Sequence, residues 1–193
     1  MKFIVGIGNP EKKYDKTRHN IGFKVLRDLC ITVGAGSPVL NKKFNEKICT
    51  AGGNFFVEPQ TFVNQTGATI KALIEEHHPN PKDVLVVCDD VNLMFAKLRL
   101  RESGSAGGHH GLESIIEAFG SDDFPRLRLG VGNQSMPKDD LTEFVLGKFD
   151  LEEEKRLDSI LETAVLVCET WMNEGFERAI NRLSQLQSMN ERE

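Results

Sequence analysis

The chain has 193 residues, 39% hydrophobic and 27% charged, with a formal net charge of −5. That balance fits one globular domain with a sizeable core and excludes a disordered chain. The longest apolar runs, such as Val84–Cys88, are far too short to cross a bilayer, and the acidity excludes diffuse coating of nucleic acid while leaving room for a local basic track.

Lys2 to Gly6 reads as a buried strand ending in the Gly8-Asn9-Pro10 turn. It begins almost at the N-terminus and lacks the apolar core and cleavage site of a signal peptide, so a cytoplasmic location is expected. Asn20 heads a helix in which Ile21, Val25 and Leu29 recur every four residues, and Gly34-Ala35-Gly36-Ser37-Pro38 stops it. Strands are predicted around Lys47–Thr50 and Asn54–Val57, with Gly52-Gly53 as the turn between them. Asn64 to Glu76 carries Ile70, Leu73 and Ile74 at helical spacing, followed by His77-His78, read as a solvated helix end before Pro79.

Val84 to Cys88 is a continuous apolar run, the pattern of a central strand covered on both faces. Ala96 to Arg101 alternates Lys97, Arg99 and Arg101 with Leu98 and Leu100, placing three cations on one strand face. A helix from His110 to Phe119 and an alternating strand from Arg126 to Val131 follow. The C-terminal third is helical, with Leu157, Ile160, Leu161, Ala164, Cys168 and Trp171 in one stripe and Phe176, Ile180 and Leu183 beyond Gly175. Strands alternating with helices predict an α/β fold: a single domain over residues 1–193, with a twisted mixed β-sheet flanked by helices and a helical C-terminal region. Lys2–Gly6 and Val84–Cys88 are expected to be central strands. Cys30, Cys49, Cys88 and Cys168 are widely spaced without a C-x-x-C pair, which predicts buried reduced thiols.

Chemistry is concentrated in a few short stretches. His19 stands between a polar loop and a helix, where an imidazole is both positioned and accessible. Taken alone, such a histidine is more often a helix cap. Asp89 changes the balance because it follows a buried strand, at the sheet edge where α/β folds place their ligands. An Asp bonded to His19 fixes its tautomer and favours its protonated form. Asp89 and Asp90 also fit a plain turn or cap. The chain offers neither a G-x-S-x-G elbow nor a cysteine in a polar context, so direct attack by water is the economical mechanism. Asn9, Asn20 and Asn64 are candidates for positioning substrate or stabilising an oxyanion, although asparagine beside glycine is also ordinary turn chemistry.

His77-His78 and His109-His110 lack further ligands at metal-binding spacing, so no metal and no cofactor is expected. Gly6-Ile7-Gly8 lacks the third glycine of a dinucleotide fingerprint. Lys97, Arg99 and Arg101, with Arg126 and Arg128 on the next strand, are candidates for a phosphate track or a merely solvated face. The Gly104–Gly108 loop adds backbone donors just before a helix.

Together these stretches resemble the bacterial-type peptidyl-tRNA hydrolase family. The pattern G-x-G-N-P-G-x-x-Y-x-x-T-R-H-N-x-G is matched from Gly6 to Gly22, with Glu11 in place of a glycine. Phe62-Val63-Asn64, Cys88-Asp89-Asp90 and Gly107-Gly108-His109-His110-Gly111 extend the likeness to about Phe149. The resemblance implies hydrolysis of the ester between a peptide, or N-blocked aminoacyl group, and the 3′ end of tRNA. It implies His19 as general base, Asp89 as stabiliser of its charged form, and Asn9 as the residue that distinguishes peptidyl- from aminoacyl-tRNA. Tyr14, Phe62 and Asn64 would bind the peptidyl end and the 3′-terminal adenosine, with His110 beside them. Arg101 and Arg128 would hold the 5′-phosphate of the tRNA. A monomer without a membrane partner is expected. His110 stands where the family has asparagine, Val63 where it has methionine, and Asn92 and Ala96 where it has Asp and Gly. The alternative is a catalytically weak, RNA- or partner-binding member of the same fold.

Overall fold

The computed structural model describes residues 1–137 and 140–190. The expected domain over 1–193 thus includes residues 138–139 and 191–193, which lie outside the described residues. Among the described residues the strands are β1 (Phe3–Gly6), β2 (Val39–Asn41), β3 (Glu46–Ala51), β4 (Asn54–Pro59), β5 (Val84–Met94), β6 (Leu98–Arg101) and β7 (Arg126–Gly132). They form one seven-stranded sheet in the order β2-β3-β4-β1-β5-β7-β6. β4, β1, β5 and β7 run parallel, while β2, β3 and β6 are antiparallel to their neighbours. The sheet is mixed as predicted, with β1 and β5 at its centre.

The helices are α1 (Ile21–Thr32), α2 (Thr66–His77), α3 (His110–Phe119), α4 (Leu141–Leu146), α5 (Leu151–Glu174) and α6 (Phe176–Asn190). Strand parity divides the core in two. Ile4, Leu85, Val87, Leu127 and Leu129 pack with α1, α5 and α6, whereas Phe3, Val5, Val86 and Cys88 pack with α2 and α3. Side chains alternate across a strand, so successive residues of β5 serve opposite layers. The α5 stripe is buried from Leu157 to Trp171, and all four cysteines are buried and free. No helix among the described residues is long and apolar enough to cross a membrane.

Four features differ from the sequence reading. β5 runs on to Met94, because beyond the end of β1 it still pairs with β7, Asp89 opposite Leu129 and Asp90 opposite Gly130. Asp89 therefore lies inside a strand and not in a turn after it. The short β2 and α4 carry too few apolar repeats to announce themselves. His77 is no solvated end: its ring packs 4.6 Å from Phe55 and 5.5 Å from Phe3. Arg126, placed by alternation on a cationic face, is 1% exposed. It donates to the carbonyls of Gly104, Asp122 and Phe124, so its charge holds the 104–124 segment and is not offered to a ligand.

Candidate active site

The start of α1 reaches the carboxyl ends of β1 and β5 because Gly22 has no side chain. A Cβ there would meet the Val87 carbonyl oxygen at 2.4 Å and that of Ile7 at 2.6 Å. This close approach sets the preceding turn, Arg18–Asn20, against the sheet edge. Asn20 then latches the glycine-rich loop: its Oδ1 accepts the Asn9 N–H and its Nδ2 donates to the Asn9 carbonyl, both at 2.9 Å. Asn20 is 1% exposed and its amide is engaged on both sides, so it is a scaffold residue and not the substrate contact considered from sequence. The Asn9 side chain is fixed in turn, since Oδ1 accepts the Val63 N–H at 3.1 Å. Its Nδ2 is left as the donor on the wall of a cavity.

His19 Nδ1–H donates to Asp89 Oδ1 at 2.8 Å. The same oxygen accepts a second imidazole, His109 Nε2–H, at 3.1 Å. The His109 tautomer follows from its other nitrogen: Nδ1 accepts the N–H groups of Gly111 and Leu112 and caps α3, so the hydrogen resides on Nε2. The two rings lie 5.2 Å apart. Asp89 thus directs His19 through Nδ1 and leaves Nε2, with its lone pair, without a bonded partner among the described residues.

The charges follow from this geometry. Burial alone would lower the His19 pKa, but the charge and hydrogen bond of Asp89 outweigh it and raise the pKa above its ordinary value. Burial would raise that of Asp89, yet the fields and hydrogen bonds of His19 and His109 hold it well below the usual carboxylate range. Burial pushes the neighbouring Cys88 thiol up, so no thiolate nucleophile stands beside Asp89. Asp90, on the opposite face of β5, pairs with Arg128 at 3.2 Å. His19, Asp89 and His109 bring potential ligand atoms within 4.8 Å of one another. A metal would need lone pairs where both ring nitrogens facing Asp89 carry hydrogens, so the trio is built for hydrogen bonding.

The cavity has a volume of about 710 Å³. Asn9, His19, Phe62, Asn64, Asp89, His110 and Arg128 all contribute to its lining. Phe62 is 46% exposed, an apolar ring open to a ligand. His110 lies at the rim, exposed, with Nδ1 bonded to Glu113 at 2.8 Å and no contact with Asp89. Arg128 also donates to the Ser105 carbonyl, so its guanidinium ties the 102–108 loop to Asp90. Two residues expected at the site are absent from the lining. Tyr14 stands before the His19 turn, its carbonyl accepting from Thr17 and its ring under Lys13. Arg101 is exposed on β6.

Sequence reasoning included His109 and Asp90 in the stretches that carry the resemblance but gave His109 no bond to Asp89 and Asp90 no role beyond a turn or cap, and it did not foresee the α4 wall of Leu141, Thr142, Val145 and Leu146. A signal for His109 exists in its place just before an apolar helical repeat, where a side-chain acceptor caps the helix.

A family model described as peptidyl-tRNA hydrolase matches residues 3–191. A peptidyl-tRNA hydrolase of Chlorobaculum parvum is 38% identical over 187 residues, covering 96% of this chain and 98% of its own length. One from a Synechococcus strain is 41% identical over 190 residues, covering 96% and 84%. Among solved structures, the crystal structure of peptidyl-tRNA hydrolase from Acinetobacter baumannii matches with a TM-score of 0.87 at 27% identity, over 95% of this chain and 94% of that one.

Proposed function

The chain belongs to the peptidyl-tRNA hydrolase family and hydrolyses the ester joining a peptide to tRNA, and we propose that it does so with a water molecule deprotonated by Nε2 of His19. The observation that carries this reading is Asp89 Oδ1 holding His19 by Nδ1 at 2.8 Å beside the cavity. Water gives its proton to Nε2 while its oxygen bonds to the ester carbonyl carbon. The imidazolium formed is neutralised by Asp89, and His109 keeps that carboxylate in place. Negative charge then develops on the carbonyl oxygen, where Asn9 Nδ2 is the preset donor and Asn64 a second. Collapse of the tetrahedral intermediate breaks the bond to the tRNA ribose oxygen, which takes the proton back from His19.

Phe62 and Asn64 supply an aromatic face and an amide for the 3′-terminal adenosine and the peptidyl end, with His110 at the rim. Tyr14, outside the lining, would act only on parts of the substrate that extend past the His19 turn. Arg101 and Arg128 are the proposed phosphate contacts. We place the enzyme in the cytoplasm as a monomer, working without metal or cofactor. No observation favours the binding-only alternative, because the residue that suggested it, His110, stands apart from an intact base assembly.

The test is cleavage of an N-blocked aminoacyl-tRNA by the wild type and by His19→Ala. A base of this kind contributes roughly 10²- to 10⁴-fold. A loss of that size is expected, and equal rates would remove His19 from the mechanism.

A further inference from the structure

Arg18 belongs to the Thr17-Arg18-His19-Asn20 motif, and the hydrolytic mechanism gives it no task. It is 6% exposed, although a guanidinium is costly to bury. Its Nη2 pairs with Glu153 Oε2 at 2.6 Å and its Nη1 donates to the Lys148 carbonyl. The guanidinium also lies over the ring of Phe144 at 4.4 Å and that of Phe149 at 5.5 Å. The Arg18 backbone N–H donates to the Gly147 carbonyl, and Thr17 bridges to Lys148. Glu153 is itself fixed: it closes the capping box of α5 with Asp150 and accepts from Asn133.

These contacts converge on α4. None of its six residues is buried, so the helix has no core of its own to hold it. Leu141, Thr142, Val145 and Leu146 nevertheless form a wall of the catalytic cavity. Phe144, which is outside that lining, rests on Arg18. His19 has separate anchors in Asp89 and in the Asn20 latch.

We propose that Arg18 is a positioning residue that holds the α4 wall in register with the neighbouring base, so that its guanidinium governs substrate binding and not the proton transfer. The inference rests on the reading of this cavity as the peptidyl-tRNA site. Loss of the planar fork releases α4 first and leaves His19 in place. Lysine keeps the charge but supplies neither the paired donors nor the stacking face.

The test compares Arg18→Lys, Phe144→Leu and the double variant in cleavage of N-blocked aminoacyl-tRNA and in amide hydrogen exchange. Each single variant is expected to raise KM about tenfold, with kcat within about threefold and the acid limb of its pH profile unmoved. Amides of residues 142–146 should exchange faster, those of α1 and β5 at the wild-type rate, and the double variant should add little to either single one. A fall in kcat at constant KM, additive effects, or loss of protection throughout the fold in Phe144→Leu would each overturn the proposal. Should Arg18→Lys fail to fold, Phe144→Leu, which leaves the Glu153 pair intact, still decides it through KM and the exchange of α4. Failure of the hydrolytic reading would appear separately, as equal rates for the wild type and His19→Ala, while hydrogen exchange would still report the tie between Arg18 and α4.

Discussion

Replacing Asp89 by Asn tests the centre of the mechanism, because one carboxylate oxygen serves two imidazoles. The substitution keeps the shape and removes the charge. Asn Oδ1, in the place of the shared oxygen, still accepts both ring N–H groups, but as an uncharged acceptor. A hydrogen bond to a charged partner contributes about 1.5–3 kcal/mol. At about 1.4 kcal/mol per tenfold change, losing that support for the His19 imidazolium lowers the rate roughly 10- to 150-fold. Initial rates of N-blocked aminoacyl-tRNA cleavage across pH measure it. In the wild type the acid limb of kcat/KM follows His19, whose pKa is raised above 6.5 by Asp89. Without that charge only the lowering effect of burial remains, so the limb must move to lower pH as the plateau falls. Stability adds an independent sign. The raised His19 pKa contributes stability that is complete below 6.5 and lost as pH rises through its folded value. The depressed Asp89 pKa contributes stability present above about 3.9 and lost as pH falls toward its folded value. Asp89→Asn should therefore be most destabilised, relative to the wild type, between about pH 4 and 6.5. An unmoved acid limb, or an unchanged plateau, would refute the claim that Asp89 acts through His19.

Three further outcomes are expected. Glu46 is 1% exposed with Oε2 unpartnered, and burial pushes its carboxyl up to about 7; its favourable contribution is complete below about 4.5 and lost as pH rises through 7. Glu46→Gln should hence be more stable than the wild type by about 1–3 kcal/mol at pH 8.5 and by almost nothing at pH 4.5, as read by denaturant unfolding; an equal difference at both pH values would contradict the assignment. Ala96 sits at φ +71°, where a Cβ costs roughly 1 kcal/mol, so Ala96→Gly should raise the melting temperature by about 2–4 °C, and a decrease would show that the methyl contributes more through packing. Arg101→Ala should lower the slope of log affinity for tRNA against log salt by about one and leave cleavage of a minimal peptidyl-adenosine ester unchanged. Arg128→Ala should impair both substrates, since Arg128 also ties Asp90 to the 102–108 loop; identical behaviour of the two variants would mean that this distinction is wrong.

Much of the fold was legible because its strands and helices carry long apolar patterns. Val84–Cys88 shows the unbroken run of a doubly covered strand, and α3 begins and ends where predicted, at His110 and Phe119. What escaped was held by contacts distant in sequence. β5 extends to Met94 because β7 pairs with it. α4 exists as a wall because Arg18, more than a hundred residues earlier, supports Phe144. Alternation placed Arg126 correctly on a strand face but could not show that the 104–124 carbonyls cover that face. The site was legible in part: parity with Val87 puts Asp89 on the α1 layer of β5, where His19 stands in the turn just before α1. The second imidazole on Asp89 was not, because the backbone bonds that fix its tautomer exist only once α3 is formed.

The arrangement also explains how an acidic chain handles a polyanion. In the resting site Asp90 is paired with Arg128, His109 faces Asp89 with Nε2–H while its Nδ1 accepts at the start of α3, and Asp89 carries a negative charge beside a neutral His19. The reacting centre is then net negative, which disfavours phosphate and favours the uncharged ester at the chain terminus. In the proposed proton transfer His19 gains a positive charge beside Asp89, and the negative charge reappears on the ester oxygen in front of Asn9 and Asn64. The total is conserved while its location moves from a carboxylate to the tetrahedral intermediate. Neutral amides suit that task better than cations would: a fixed positive charge there would draw a phosphate of the acceptor strand into the cavity in place of the ester. The exposed face of β6, where Arg99 and Arg101 project toward solvent, is the proposed phosphate contact outside the reacting centre, while Arg128 on the cavity wall has its charge matched by Asp90. The proposed chemistry thus requires that no unpaired cation stand beside the base: one moved from β6 to the cavity wall, without a carboxylate partner like that of Arg128, should strengthen tRNA binding and slow turnover together.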